Sequence, residues 1–378
     1  MGEASGSRSL HDMRALTKNK GIVGLDLEAA SVAATEVHLN GSPRVVGAGI
    51  LKLPPGVVRE GEVTDGDALA AALKQLFAEN RLAKTVRLGI ANQRVVVRTL
   101  RFPVIEKASE LETAIRFQAQ DQIPMPLEQA VLEHQVIGRS TSETGEATMD
   151  VVVVAARRDT ITPLVGAMRK AGLKPIGIDV SAFGMIRALA GEAGVTEPGV
   201  AHSYEERMAN PEVQEPAALY CNLGDVTNLA VAQGSTCLFT RVSQFGMAGI
   251  GQRLAERCGL TLEHATQWLA HVGLVNPLEH IDGDPEIVSA AREALGEGAS
   301  KLVDELRLSL EYYGAQEGAL TVESVVACGT GTTIPGIVER IERELGLRIV
   351  APNVEALAHL DPAAAARLIL PYGLAIEG

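Results

Sequence analysis

The chain has 378 residues, of which 46% are hydrophobic, 21% are charged and only 3% are aromatic, and its formal net charge is −13. This length predicts two or three domains, with cores built mainly from Leu, Val, Ile and Ala. The negative charge argues against a nucleic-acid groove and against a permanent patch for acidic lipids. The four cysteines lack metal-ligand spacing, so we predict no metal site and interpret them as free thiols in a reducing compartment.

Residues 1–20 are rich in Ser and Gly, with scattered basic residues and no apolar segment of the kind found in signal peptides. We expect this segment to be a flexible tail. No stretch of the chain approaches the roughly 20 apolar residues that a membrane span needs. The sequence therefore predicts a cytoplasmic protein without a membrane span of its own.

Residues 21–37 have the pattern of a strand, a tight turn and a second strand. Asp26 ends the first apolar run, so its carboxylate and the backbone N–H groups of the turn point at one place. That arrangement suits a phosphate group with its magnesium ion. Taken alone, the pattern is more often that of an ordinary hairpin with an Asp in the turn.

The rest of the first half predicts one domain interrupted by an insert. Strands at 43–53, 86–91 and 94–101 and a helix ending near Asn80 complete the domain, which we assign to residues 21–102 and 177–194. Residues 103–176 have the order helix, strand, strand, helix, strand, which is typical of an α+β module. Residues 195–215 show no hydrophobic periodicity of the kind found in helices or strands, and we interpret them as a linker.

The second half repeats the hairpin pattern at residues 218–232. Asn222 and Thr227 lie 196 residues after Asp26 and Ser31, which they match. A repeated unit half a chain apart predicts duplicated domains that face a shared cleft. We assign the second domain to residues 216–250 and 320–378, with a helical subdomain at 251–319. A glycine-rich turn at 329–336 lets backbone approach a ligand, although such turns are common.

The two hairpins resemble the phosphate loops of the actin/Hsp70/hexokinase superfamily, and the chain most resembles its PilM family of type IV pilus assembly proteins. The matching segments are 101–103, 110–119, 123–124, 151–157, 171–180, 239–241 and 305–310. The resemblance implies an α/β fold with duplicated actin-like (ribonuclease H-like) domains and an inserted α+β subdomain called 1C. The remaining parts would be subdomains 1A, 2A and 2B.

The resemblance also implies a nucleotide site but no catalytic residue. Its family positions are Asp26, Leu27, Glu28, Ala29, Ser31, Asn222, Gly224, Asp225, Thr227, Glu305, Ser309, Gly329, Thr330 and Gly331. Several positions depart from the family pattern: Glu28 replaces a loop glycine, Ala29 lacks the first hydroxyl of the loop, Asn222 replaces Asp, and Ala33 and Leu269 replace lysines. A carboxylate ~4 Å from a phosphate charge repels it by ~4 kcal/mol at an effective dielectric of ~20. We therefore expect ATP with Mg to bind weakly or not at all, with negligible hydrolysis.

Members of the PilM family bind the cytoplasmic N-terminal tail of the inner-membrane protein PilN. The resemblance implies a PilN-like partner, further pilus assembly partners and recruitment to the inner membrane. The tail would dock between the first domain and the insert, at Arg101, Phe102, Pro103, Phe117, Ile123, Pro124 and Met125. An alternative is that these residues only attach the insert to its domain.

Three other functions are compatible with the sequence. An actin-like ATPase or small-molecule kinase would need a catalytic Asp, for which Asp179 is a candidate by position, while Asp225 could help to hold magnesium from the second hairpin. Each is also explained as a helix-capping or turn-stabilising residue. A polymerising FtsA-like element and a GspL-like secretion component are the remaining alternatives.

Overall fold

The computed structural model describes residues 21–39, 41–59, 61–141, 146–190, 217–316, 318–350, 352 and 354–376. The tail predicted at 1–20 and the linker predicted at 195–215 lie outside these described residues. Within them, no helix is both long enough and apolar enough to cross a membrane.

The strands of the described residues, in chain order, are β1 (Ile22–Leu27), β2 (Ser31–His38), β3 (Arg44–Lys52), β4 (Val58–Arg59), β5 (Glu62–Val63), β6 (Thr85–Ile90), β7 (Val96–Pro103), β8 (Ala130–Thr141), β9 (Ala147–Arg157), β10 (Lys174–Val180), β11 (Ala217–Leu223), β12 (Thr227–Gln233), β13 (Thr236–Ser243), β14 (Val322–Cys328) and β15 (Arg348–Val350). The helices are α1 (Gly66–Glu79), α2 (Ala108–Gln122), α3 (Arg158–Lys170), α4 (Ser181–Ala190), α5 (Met247–Cys258), α6 (Leu262–Val272), α7 (Pro285–Gly314), α8 (Ile337–Leu345) and α9 (Pro362–Ala375).

Two five-stranded sheets have the same strand order. The first is β3-β2-β1-β6-β10 and the second is β13-β12-β11-β14-β15. In each sheet three antiparallel strands are followed by two parallel ones. The apolar run of β11 is buried along its whole length, as a central strand requires. The duplication predicted from the two hairpins is therefore confirmed, and with it the mixed α/β fold class.

Helices α4 and α9 lie between the two sheets and join them in one apolar core. Ala33 of β2 and Tyr220 of β11 both belong to this core, so it receives side chains from both domains. The two helices approach so closely that a Cβ atom on Gly373 would overlap the backbone of Gly184. The floor of the cleft between the domains is thus tightly packed.

The insert contains a three-stranded sheet, β7-β9-β8, covered on one face by α2. Strand β7 pairs with β9, so the sheet of the insert begins at Val96 and not at residue 103. The order of elements could not reveal this, because β7 has the same local pattern whichever sheet it joins. Helix α3 packs through Leu164 and Met168 on the core of the first domain, and β10 belongs to the first sheet.

Three helices cover the outer face of the second sheet. Helices α5, α6 and α7 bury Leu254, Leu269 and Leu302 against it. The long helix α7 begins after Asp284, whose carboxylate accepts a hydrogen bond from the Glu286 N–H at 2.9 Å. These helices occupy most of the stretch 251–319, which the sequence pattern predicts to be helical.

Candidate functional site

The turns of the two β-hairpins, β1–β2 and β11–β12, meet at the cleft between the domains. The Ala30 N–H donates to Asp225 Oδ2 at 3.1 Å, and the Ala29 N–H donates to the same carboxyl group. In return, the Glu28 carboxyl group accepts a hydrogen bond from the backbone N–H of Asp225. Each turn therefore satisfies amide donors of the opposite turn with a carboxyl group.

The backbone of each turn is fixed within its own domain. The Glu28 N–H donates to the Ser31 carbonyl at 2.9 Å, which closes the first hairpin. In the second turn, the Thr227 hydroxyl donates to the Phe245 carbonyl at 2.7 Å. A Cβ atom on Gly224 would overlap Glu28 Oε1, so the missing side chain at 224 leaves the room that the Glu28 carboxyl group occupies.

Arg367 of α9 lies under the first hairpin and is only 5% exposed. Its guanidinium donates to Asp26 Oδ2 at 2.6 Å and to Ser31 Oγ at 3.1 Å, and it contacts Glu28 Oε2 at 2.9 Å. It also donates to the Asp26 and Ser31 carbonyl oxygens at 3.3 and 3.4 Å. The sequence pattern did not identify this residue. The available signal was a single Arg in an otherwise apolar, Ala-rich helix. An Arg that is buried with such a helix needs carboxylate partners.

The cluster places one cation among three carboxyl groups. Burial raises the pKa of Glu28 to about 8, although Arg367 acts in the opposite direction and the charges of Asp225 and Asp26 add to the rise. Burial also raises the pKa of Asp225, partly offset by the hydrogen bond from Ala30 and by Arg367. The Glu28 and Asp225 carboxyl groups together therefore hold a proton more tightly than exposed acids would.

The glycine-rich turn packs directly on the end of β11. A Cβ atom on Gly329, whose φ is 88°, would overlap Asn222 Oδ1, and one on Gly331 would press on Leu223 at 2.9 Å. Thr330 lies between these glycines and is partly buried. The two glycines thus allow this turn to pack closely against the backbone at the end of β11, inside the second domain.

Two predicted nucleotide residues lie apart from the hairpin cluster. Glu305 and Ser309 belong to α7 and contact Arg241 of β13, which donates to Ser309 Oγ at 2.9 Å and to Glu305 Oε2 at 3.4 Å. Ser309 is buried and donates to the Glu305 carbonyl at 2.6 Å. These contacts attach α7 to an edge strand of the second sheet.

Two positions of the electrostatic prediction, Ala33 and Leu269, and the candidate catalytic residue Asp179 have structural roles. Ala33 is buried in the core between the domains, and Leu269 is buried in the helical core. Asp179 forms an ion pair with Arg187 and accepts from the Val180 N–H at 2.8 Å. Asp179 is a residue of β10 and its carboxylate is paired with Arg187 of α4, whereas its hydrogen bond is to the next strand residue and is not a helix cap.

The predicted partner residues fall into two groups. Phe102 and Ile123 are buried in the core of the insert, where they hold α2 on its sheet. Arg101 is exposed and donates to Asp150 Oδ1 at 2.7 Å, within the same sheet. The others lie at the surface or partly so: Pro103, Phe117, Pro124 and Met125. Of all these, Phe117 is outstanding, because 75% of this aromatic residue is exposed.

Comparison with known proteins gives the family. The family model described as type IV pilus assembly protein PilM matches residues 24–370. Among solved structures, a PilM–PilN type IV pilus biogenesis complex is 25% identical, covers 94% of this chain and 97% of that chain, and has a TM-score of 0.73.

Two more distant structures are similar in fold alone. Ethanolamine utilization protein EutJ from Carboxydothermus hydrogenoformans is 16% identical, covers 94% of this chain and 89% of that chain, and has a TM-score of 0.51. MreB5 of Spiroplasma citri bound to ADP is 14% identical, covers 94% and 95%, and has a TM-score of 0.52. The fold is therefore actin-like, and the chain belongs to the PilM family of type IV pilus assembly proteins.

Proposed function

We propose that this chain is an assembly scaffold of a type IV pilus machine that binds the N-terminal tail of a PilN-like inner-membrane protein and has weak or no ATP binding. The family match and the similarity to a complex of PilM with PilN support the partner. The chain would then act at the cytoplasmic face of the inner membrane, to which that partner recruits it, alongside other pilus assembly proteins.

One observation supports the proposed loss of nucleotide binding: the backbone N–H groups of the hairpin turns already donate to carboxyl groups. Phosphate loops need free N–H donors, and here Asp225 accepts from Ala29 and Ala30 while Glu28 accepts from the second turn. Arg367 supplies the positive charge that a magnesium ion would bring. The residues present therefore do not fit a nucleotide phosphate with its magnesium.

Calorimetric titration with magnesium-ATP tests this part of the proposal. We expect no micromolar affinity for the native chain. The variant Glu28→Gly removes the carboxyl group that lies over Gly224 and should gain measurable affinity, whereas Glu79→Ala should not. Glu79 is the matched control because it is an exposed glutamate of the same domain, at the end of α1, where it accepts from the Gln75 side chain at 2.8 Å. Micromolar binding by the native chain would contradict the proposal.

The partner surface is best centred on the solvent-facing side of α2. Phe117 shares an open, solvent-facing surface of this helix with Ser109, Glu110, Thr113 and Ala114. An exposed aromatic residue beside small side chains is a common anchor in protein interfaces. Phe102 and Ile123 would act indirectly, because they position α2 from below.

Peptide binding tests the surface. A synthetic peptide of a PilN-like cytoplasmic tail is titrated against the native chain, Phe117→Ala and Tyr312→Ala. Tyr312 is the matched control, since it is a 59% exposed aromatic residue on α7 of the second domain. We expect at least tenfold weaker binding for Phe117→Ala only. Unchanged affinity in the folded Phe117→Ala variant would exclude this site.

A further inference from the structure

We propose that Glu28 and Asp225 form a clasp that replaces a bound phosphate group and holds the two domains of the actin-like fold closed without any ligand. The inference rests on the proposed function only in taking the native cleft to be free of nucleotide. It assigns the closed conformation to two carboxyl groups of the chain itself.

The first step of the argument is the reciprocity of the contact. A phosphate bound between two hairpin turns would accept N–H donors from both of them and so bridge the domains. Here the Asp225 carboxyl group of the second domain accepts from the first turn, at 3.1 Å from the Ala30 nitrogen. The Glu28 carboxyl group of the first domain accepts from the second turn. The same donors are bridged, but by side chains.

The second step is the anchoring of the clasp. Arg367 contacts Glu28 at 2.9 Å and Asp26 at 2.6 Å, and it belongs to α9, which lies between the two sheets. Glu28 is therefore fixed relative to the helix at the floor of the cleft. Its side chain is 12% exposed, and a carboxyl group withdrawn from water to this degree needs its full set of partners. That set is complete only when the two turns meet.

The third step compares the clasp with an ion pair that joins the two domains at the mouth of the cleft. Lys52 at the end of β3 pairs with Glu263 at the start of α6, which joins the first domain to the helical subdomain. Both side chains are more than half exposed, at 75% and 55%, so this pair adds little. The clasp is thus a partly buried polar connection between the turns, above the apolar floor formed by α4 and α9.

Amide hydrogen exchange and small-angle X-ray scattering of nucleotide-free protein test the clasp. We expect Glu28→Ala and Asp225→Ala each to raise exchange at the two turns at least tenfold and to increase the radius of gyration. The double variant should add little to either single change, because both remove the same connection. Glu79→Ala, a control on an exposed residue of α1 in the first domain, should leave both measurements unchanged. Unchanged exchange and scattering in folded Glu28→Ala would overturn the proposal.

Acetate gives an independent test of the carboxyl group itself. In Glu28→Ala, added acetate should restore slow exchange at the turns, while the native chain and Glu28→Gln should show no response. Inorganic phosphate is the second probe, and we expect it to be less effective because Asp26 and Asp225 remain close by. Restoration by phosphate but not by acetate would assign the site to phosphate and overturn a carboxyl clasp. Magnesium-ATP binding by the native chain would contradict only the proposed function.

Discussion

The two hairpin turns have equivalent positions in equivalent sheets, yet their side chains differ in kind. The first turn has a glutamate, Glu28, and the second turn has a glycine, Gly224, at the position that faces it. The Glu28 carboxyl group occupies space that any side chain at 224 would fill. A duplicated fold can thus turn a site for an external ligand into an internal contact by changing one of the two turns.

The largest effect is expected from Arg367, the cation that both Asp26 and Glu28 require. The variant Arg367→Ala leaves buried carboxyl groups without their partner, which should cost about 3–5 kcal/mol of unfolding free energy. Urea denaturation measures this loss. Arg343→Ala, at the end of α8, is the control and should change stability by less than about 0.5 kcal/mol. A small loss for Arg367→Ala would mean that the carboxyl groups are satisfied without it.

The next effect concerns the asymmetry between the turns. Gly224→Ala places a Cβ atom against the Glu28 carboxyl group and should cost about 1–3 kcal/mol. Combining it with Glu28→Ala should recover much of that cost, because the clash is then removed. Thermal denaturation of the two single variants and the double variant measures the coupling. Strict additivity would show that the turns do not touch in solution.

The next prediction concerns pH, where the effect is spread over several pH units. Burial raises the pKa of Glu28 from 4.5 to about 8, so between these values the folded chain holds more protons than the unfolded chain. Stability should therefore fall as pH rises from about 5 to 8, by at most about 1.4 kcal/mol per pH unit for one proton. The charged and titratable groups facing Glu28 are Arg367, Asp225 and Asp26, with the Cys328 thiol near the cluster.

The variant Glu28→Gln is the matched control for this pH dependence, since it keeps the shape of the side chain and cannot titrate. Melting temperatures measured across the range should fall less steeply for Glu28→Gln than for the native chain. Parallel curves for the two proteins would show that Glu28 is ionised throughout.

The smallest effect is expected at the mouth of the cleft. Lys52→Ala removes the exposed ion pair with Glu263 and should change stability by less than about 0.5 kcal/mol at physiological salt. The same thermal measurement provides the comparison with the clasp formed by Glu28 and Asp225. A loss similar to that of Glu28→Ala would place the closing contact at the mouth and not at the turns.

The sequence predicts those features of the fold that depend on local pattern. Both hairpins are visible because their apolar runs end in polar turns and recur 196 residues apart. The pairing of β7 with β9 is not visible, since a strand has the same pattern in either sheet. The burial of Phe102 and the exposure of Phe117 also depend on which face of the insert α2 covers.

The candidate site shows the same limit more sharply. The family pattern draws attention to Glu28 and Asp225, and their side chains do lie at the meeting point of the turns. It does not draw attention to Arg367, which reaches Asp26 across 341 positions of the chain. A contact between distant positions leaves no local pattern, so only the packing of α9 beneath the first hairpin reveals it.

The separation of Asp26 and Arg367 along the chain also affects when the first domain can fold during translation. Asp26 and Glu28 emerge early, whereas their arginine is added 341 positions after Asp26. At about 5–20 residues per second, the ribosome needs roughly 20–70 s to supply it. Throughout that interval the first hairpin lacks its buried cation, so the nascent first domain cannot reach its final packing. Completion of the first domain thus awaits translation of the last helix.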